Sequence, residues 1–255
     1  MLEIFCLHKT FNPGTPNEVA ALRGVSLTIE SGSFVIVIGT NGSGKTTLLN
    51  AVAGTFPPDE GTIRLSGREI TCWPEHRRAP LIGRVFQNPF IGTAPDMSIE
   101  ENLAMAARRG LSRGLAWALD RRLRREIRDR VATLGMGFEN RLDNAIGSLS
   151  GGQRQALTLL MATWRRPDLL LLDEHTAALD PRSADKVVEL TRSIIARDSL
   201  TVLMVTHSMR QAVDLGDRLV MMHFGSVLHD LHGAEKSDSS PESLLQRFHS
   251  ADRDS

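Results

Sequence analysis

Gly39-Thr40-Asn41-Gly42-Ser43-Gly44-Lys45-Thr46 is the stretch of this 255-residue chain whose residue types and spacing are best suited to chemistry. It fits G-x-x-x-x-G-K-[ST], the phosphate-cradling P-loop pattern. Gly39, Gly42 and Gly44 let the backbone turn tightly and bring its N–H groups close to phosphate oxygens. Lys45 supplies a point charge for β- and γ-phosphates, and the Thr46 hydroxyl is placed to bind Mg²⁺. The pattern carries meaning only between a strand and a helix. Phe34-Val35-Ile36-Val37-Ile38 ahead of it is short, apolar and β-branched, so it predicts a buried strand. Thr47-Leu48-Leu49-Asn50-Ala51-Val52-Ala53 behind it predicts the first turns of a helix, whose positive dipole end adds to the anion site. A glycine-rich turn with a chance lysine would not explain these flanks.

Two further stretches complete the chemistry. Leu169-Leu170-Leu171-Leu172 leads into Asp173-Glu174, which makes an apolar strand closed by two carboxylates. Ligands of parallel α/β sheets bind at such strand ends. In P-loop NTPases an aspartate placed this way holds Mg²⁺, often through water, and Glu174 is placed to orient or deprotonate an attacking water. A lone Asp-Glu pair elsewhere would be read as a helix cap or surface turn. Leu149-Ser150-Gly151-Gly152-Gln153 precedes an apolar-periodic helix from Ala156 to Ala162. Its serine hydroxyl, two glycine N–H groups and helix N-terminus form a second anion-binding surface. One chain cannot readily put two such surfaces on one γ-phosphate and leave the nucleotide open. Two chains arranged head to tail can sandwich it.

The elements that must position these groups begin with strand-like segments at Glu3–Leu7, Val25–Ile29, Gly61–Gly67 and Leu81–Gln87, the last ending at Gln87. Val25–Ile29 alternates apolar and polar, as a half-exposed antiparallel strand does. Asn12 to Asn17 is a turn-rich loop. Ser98 with Glu101 is a capping box that starts a helical region running to about Gly135. That region is rich in arginine: Arg108, Arg109, Arg113, Arg121, Arg122, Arg124, Arg125, Arg128 and Arg130. An anionic-lipid or nucleic-acid patch is one reading. A solvated face interleaved with Asp120, Glu126 and Asp129 is favoured, because stacking aromatics are nearly absent and Trp117 suits packing. Pro181 to Ala196 predicts a helix with proline in its first turn. Leu200–Val205 predicts a buried strand ending at Thr206-His207, followed by short strands at Arg218–Met222 and Ser226–His229 and a last helix at Glu242–Phe248.

Composition bounds the rest. Thirty acidic side chains balance thirty basic ones, so no global field favours nucleic acid or a membrane surface. Cys6 and Cys72 are far apart and lack metal-ligand spacing, which suits a reducing, cytosolic compartment. His223, His229 and His232 match no standard metal-ligand spacing. Met1-Leu2-Glu3-Ile4 opens into a strand-like segment with no signal-peptide pattern. No apolar run of about eighteen residues exists. Any membrane role is expected to come through a partner.

Taken together, Gly39 to Thr46, Gln87, Leu149 to Gln153, Leu169 to Glu174, Ala178-Leu179-Asp180 and His207 stand in the order of the ATP-binding-cassette (ABC) ATPases, and residues 2–230 resemble that family. The resemblance implies an α/β fold, a P-loop NTPase core of mixed sheet with an antiparallel β part, plus an inserted helical subdomain. It implies one nucleotide-binding domain over 1–250: residues 1–87 and 165–232 as sheet core, 88–164 as helical subdomain, and 233–255 as a C-terminal loop, short helix and tail. The nucleotide, ATP, would be held by Gly39, Asn41, Gly42, Ser43, Gly44, Lys45, Thr46 and Thr47. Phe11 would stack on adenine, where the family more often has tyrosine; the alternative is a core phenylalanine. Gln87 would touch Mg²⁺ or the attacking water. Mg²⁺ would be shared among Thr46, Gln87 and Asp173, with Glu174 as base. Ser150, Gly151, Gly152 and Gln153 would contact ATP held by the opposite protomer, Asp180 would bridge the dimer, and His207 would hold the γ-phosphate and support Glu174.

Two residues depart from the family pattern. His175 stands where the family usually has proline, and Ser33 where it commonly has glutamate. The wording of Thr10–Glu18, Gly83–Gln87 and Asp173–Asp180 is similar to an importer subgroup associated with tryptophan, tyrosine or related amino-acid uptake. The expected protein is a bacterial ATP-hydrolysing subunit that works as a head-to-tail dimer. It would sit at the cytoplasmic face of the inner membrane on integral membrane permease subunits and serve a solute-binding protein indirectly, with no nucleic-acid partner. The groove between Gln87 and the Phe90–Leu103 region would receive the permease. A soluble cassette ATPase working on DNA or ribosomes is the alternative; those usually carry a coiled-coil insertion or two cassettes, and this chain has neither. A non-hydrolysing regulatory module would be expected to lack Glu174 or His207.

Overall fold

The computed structural model describes residues 1–111 and 119–253, so Arg113 and Trp117 lie outside the described residues. The elements run β1 (Leu2–Phe11), β2 (Val19–Ile29), β3 (Phe34–Gly39), α1 (Lys45–Ala53), β4 (Glu60–Leu65), β5 (Arg68–Glu69) and α2 (Glu75–Arg78). Next come β6 (Ile82–Val85), α3 (Ile99–Ala107), α4 (Arg121–Ala132), α5 (Gly151–Thr163), β7 (Leu169–Asp173) and α6 (Pro181–Asp198). The chain closes with β8 (Val202–Val205), α7 (Met209–Asp214), β9 (Arg218–His223), β10 (Ser226–His232), α8 (Ala234–Ser237) and α9 (Pro241–Arg253). They group into two compact units, Met1–Arg78 with Leu200–Ser255, and Ala79–Ser199.

The first unit holds two kinds of pairing. Strands β2, β1, β4 and β5 form an antiparallel sheet in that order. On β2, Val25, Leu27 and Ile29 are buried while Ser26 and Thr28 are exposed, so period-two alternation places one face inward. Strand β3 pairs in parallel with β8 on one side and β9 on the other. These strands are near-continuous apolar runs, as strands covered on both faces must be. Strand β10 returns antiparallel to β9. The turn between them is Phe224-Gly225 with φ of 43° and 80°, the left-handed pair that a two-residue hairpin turn needs. The mixed sheet with an antiparallel part expected from the sequence is present.

Helix α1 begins at the end of β3 and is anchored from below by an arginine that sequence reading passed over. Arg78 is 1 % exposed. Its guanidinium donates to the carbonyls of Ala51 and Val52, both at 2.8 Å, and to Trp73 and Thr71 at 2.8 and 2.9 Å. Ala51 and Val52 lie in the last turn of α1, where carbonyls lack helical partners and the dipole is negative. Burial pushes the Arg78 pKa down to about 10, which leaves the group charged at neutral pH.

In the second unit β6 and β7 pair in parallel, ending at Val85 opposite Leu172. The strand expected to reach Gln87 therefore stops two residues early. The reason is a change of partner: the Phe86 carbonyl accepts the side-chain amide of Gln155 at 3.0 Å instead of a ladder N–H. Around α3, α4 and α5 lies a separate apolar core that includes Ile99, Leu103, Ile127, Val131, Phe138 and Leu157. Ser98 and Glu101 form the expected capping box on α3, and Asp120 caps α4 through Leu123 N–H at 2.7 Å. Much of the arginine run is spent locally. Arg124 grips Glu100 through two bonds of 2.6 and 2.7 Å. Arg130 pairs with Glu126 at 2.9 Å, while Arg121, Arg122, Arg125 and Arg128 are exposed.

Replacing Arg78 with methionine removes the guanidinium donor from four carbonyls, of which that of Ala51 keeps only the Gly54 N–H at 3.3 Å. An Arg78→Met protein is expected to lose about 3 kcal/mol of stability. Urea unfolding of the two proteins measures this, and an unchanged midpoint would show that Arg78 is not the anchor.

Candidate functional site

In the first unit the glycine loop is shaped by contact with its surroundings. Gly44 ends the loop with φ 94° and is the N-terminal cap of α1. A Cβ there would lie 2.4 Å from the Ala21 carbonyl oxygen. A Cβ on Gly39 would meet the Ser43 hydroxyl at 2.3 Å and the Met222 carbonyl oxygen at 2.5 Å. Ser43 is clipped in turn, because the Gly225 N–H donates to its carbonyl at 3.2 Å. Lys45 is buried, and its ammonium donates to the carbonyls of Gly39 and Thr40 at 2.9 and 2.8 Å. Asn41, Gly42 and Thr46 are exposed, and Thr47 is half-buried in the first turn of α1. The first N–H groups of that helix have no helical acceptor, so the loop presents donors and positive potential to an anion.

Phe11 ends β1 and is half-buried, so it is not a core phenylalanine. Its ring meets that of Phe56 edge-on at a centroid distance of 5.3 Å. The Lys9 ammonium lies 5.8 Å from one ring and 5.5 Å from the other. Phe56, which follows α1, escaped sequence reading because no motif marks it. His207 is exposed in the bend between β8 and α7. The residues on either side hold that bend: the Thr206 hydroxyl bonds Gln211 and accepts from Ser208 N–H, and Ser208 caps α7.

In the second unit Asp173 closes β7 and Glu174 follows it, at 9 % and 8 % exposure. Glu174 has φ 43°, a left-handed backbone that costs a non-glycine residue about 1–3 kcal/mol and tends to mark functional positions. Arg84 on β6 lies 3.6 Å from the Asp173 carboxylate, with its guanidinium 4.4 Å from the Phe86 ring. Sequence reading missed Arg84, although a lone charge inside an apolar strand was the available signal. Gln87 is exposed just beyond β6. Thr46, Gln87 and Asp173 offer hydroxyl, amide and carboxylate oxygens, hard donors of the kind Mg²⁺ takes, so the residue types fit that ion.

Ser150 is the cap of α5, with Gln153 completing a capping box. Ser150 and Gly151 are exposed, whereas Gly152 is buried so tightly that a Cβ would lie 2.7 Å from that of Ser183. The backbone ahead of this turn is held by Arg154, which donates to the carbonyls of Ile146, Gly147 and Leu149 at 3.2, 2.8 and 2.9 Å. Burial lowers the pKa of Arg154. Asp180 is exposed and caps α6; bonds from the side chain and backbone of Ser183 lower its pKa. Among the described residues no cluster of histidine, cysteine or carboxylate side chains could hold a metal by itself.

This geometry, a glycine loop with a buried lysine, a carboxylate pair at a strand end and a capped Ser-Gly-Gly turn, has counterparts of known kind. The profile of one family, ABC transporter, matches residues 22–177. The chain belongs to the ABC transporter family. This ABC ATPase is 41 % identical to the tyrosine transport ATP-binding protein of Clostridioides difficile, over 97 % of this chain and 98 % of that one. It is 34 % identical to a lipoprotein-releasing system ATP-binding protein of Caulobacter vibrioides, over 87 % and 92 %. Among solved structures it matches a dimeric ATP-binding cassette in a post-hydrolysis state with ADP and Pi, at TM-score 0.77 and 27 % identity, over 91 % and 98 %. The protein is thus an ATP-hydrolysing subunit of a transporter. No helix among its described residues is long and apolar enough to cross a membrane.

The glycine contacts predict a graded result. Gly44→Ala combines a left-handed φ with a backbone clash, whereas a Cβ on Gly42 meets nothing within 4 Å despite φ 79°. Gly44→Ala is expected to weaken ATP binding roughly tenfold or more, and Gly42→Ala distinctly less. Titration with a fluorescent ATP analogue distinguishes them, and equal losses would refute the packing account.

Proposed function

We propose that the protein is the ATPase subunit of a bacterial importer of amino acids or similar small solutes, and that it works through separate permease subunits. The observation that carries this reading is the 41 % identity, nearly end to end, with a protein named for tyrosine transport. A groove of about 370 Å³ in the second unit supports a docking role. It is lined by Phe86, Ile91, Met105, Ala106 and Met161, with Ile91 and Met105 themselves exposed. Such a surface suits an apolar segment of a membrane partner. On this reading the protein is peripheral at the cytoplasmic face of the inner membrane, and a solute-binding protein is served indirectly.

The proposed reaction is ATP + H₂O to ADP + phosphate. Gly39 to Thr47 bind the triphosphate through backbone N–H groups and the Lys45 charge, and Phe11 stacks on adenine with Phe56 behind it. Thr46, Gln87 and Asp173 would hold Mg²⁺, which when bound would supply positive charge to the triphosphate. Glu174 takes the proton of the attacking water, and its burial excludes competing bulk water. His207 holds the γ-phosphate. A second copy, head to tail, contributes Ser150, Gly151, Gly152 and Gln153, with Asp180 across the dimer. The dimeric state of the solved relative and the exposure of Ser150 and Gly151 both support this arrangement. We also propose the division into a sheet core, 1–87 and 165–232, with a helical insert, 88–164.

Glu174→Gln is expected to bind MgATP and dimerise while hydrolysing it at least about a hundredfold more slowly. Phosphate release and size-exclusion chromatography read both, and wild-type turnover would remove Glu174 from the role of base. Ser150→Arg is expected to leave ATP binding largely intact and abolish hydrolysis; normal hydrolysis would rule out the sandwich. The permease is tested by gentle purification from membranes, which should retain an integral membrane protein; recovery with nucleic acid instead would overturn the transport reading.

A further inference from the structure

His175 follows the carboxylate pair, and nothing in the proposed reaction uses it. Its ring is 1 % exposed, and Nε2 lies 3.1 Å from the hydroxyl of Thr191 on α6, a residue 2 % exposed. The Thr191 proton is already committed, since that hydroxyl donates to the Val187 carbonyl at 2.7 Å. The oxygen is left to accept, so Nε2 of His175 carries the proton. Nδ1 is buried with no hydrogen-bond partner among the described residues, which suits a bare lone pair there.

The residue before it, Glu174, has its backbone held in the left-handed region at φ 43°. Such a conformation persists only where the chain on both sides determines it. On the N-terminal side, β7 is locked to β6 through Leu172 and Val85. On the C-terminal side, Ala177 N–H closes a turn onto the Glu174 carbonyl at 2.9 Å, and the His175 ring ties the turn to α6. We infer that His175 is a positioning residue: its hydrogen bond to Thr191 anchors the turn that aims the Glu174 carboxylate at the attacking water. The bond fixes a direction and takes no part in the chemistry. This inference rests on the reading of Glu174 as base.

The test uses the full-length protein and single-turnover phosphate release beside ATP binding. His175→Phe fills the site without a donor, and Thr191→Val removes the acceptor at nearly constant volume. Each is expected to slow hydrolysis roughly ten- to a hundredfold with ATP affinity unchanged. His175→Gln, which restores an N–H donor, is expected to recover part of the rate. In a Glu174→Gln background, His175→Phe is expected to change the residual rate no further. Wild-type rates in both His175→Phe and Thr191→Val would overturn the inference, as would an equal slowing by His175→Phe with and without Glu174. Should His175→Phe fail to fold, Thr191→Val and its combination with Glu174→Gln decide the matter. Fast hydrolysis by Glu174→Gln alone would instead overturn the base reading, and this inference with it.

Discussion

The packing of the glycine loop against neighbouring backbone is the constraint on which the nucleotide-binding end of the molecule depends. A polyphosphate is bound best by several N–H groups that converge without side chains in the way. That requires the loop to lie against the carbonyls of Ala21 and Met222 at distances no Cβ would permit. The loop is therefore specified by the strand and the hairpin that carry those carbonyls, as much as by its own glycines. The Phe224-Gly225 turn closes that hairpin and donates to Ser43, so hairpin and loop stand together. At the far end of α1, Arg78 gathers the last carbonyls. Both ends of the helix whose N-terminus faces the phosphate are thereby anchored.

In the second unit, buried guanidinium groups take the place of regular backbone pairing. Arg154 gathers three carbonyls ahead of the Ser150 turn, and Arg109 gathers that of Ala162 in the last turn of α5 and that of Arg165 beyond it. Each planar fork serves several acceptors that irregular chain would otherwise leave unsatisfied. Arginine-rich sequence in this chain is thus partly an internal scaffold and partly a solvated face. A carbonyl acceptor satisfies a guanidinium without neutralising it.

Legibility in the sequence followed the range of the interaction. The P-loop, the Leu169–Glu174 strand and the Ser98–Glu101 capping box were readable, because each is a local pattern whose meaning lies within about ten residues. The end of β6 was misjudged by two residues, because Phe86 takes its partner from Gln155, far along the chain. Arg84, Arg154 and Phe56 were overlooked for the same reason. An arginine in a strand or helix looks alike whether it faces water, an aspartate or a row of carbonyls. His175 was noticed only as a departure, and its role appeared when the ring was found buried against Thr191.

The sequence alone therefore determined the kind of chemistry: a glycine-lysine loop after a strand, carboxylates at a strand end and a capped Ser-Gly-Gly turn are defined by residue type and spacing. Tertiary structure alone decided what holds those groups in place: which carbonyls Arg78 and Arg154 satisfy, that Asp173 faces Arg84, and that Glu174 sits in a left-handed backbone beside an anchored His175. The physical reason is burial. Short-range geometry follows from local backbone preference, but a buried polar group must find its partner wherever folding brings one, and that partner leaves no periodic trace in the chain.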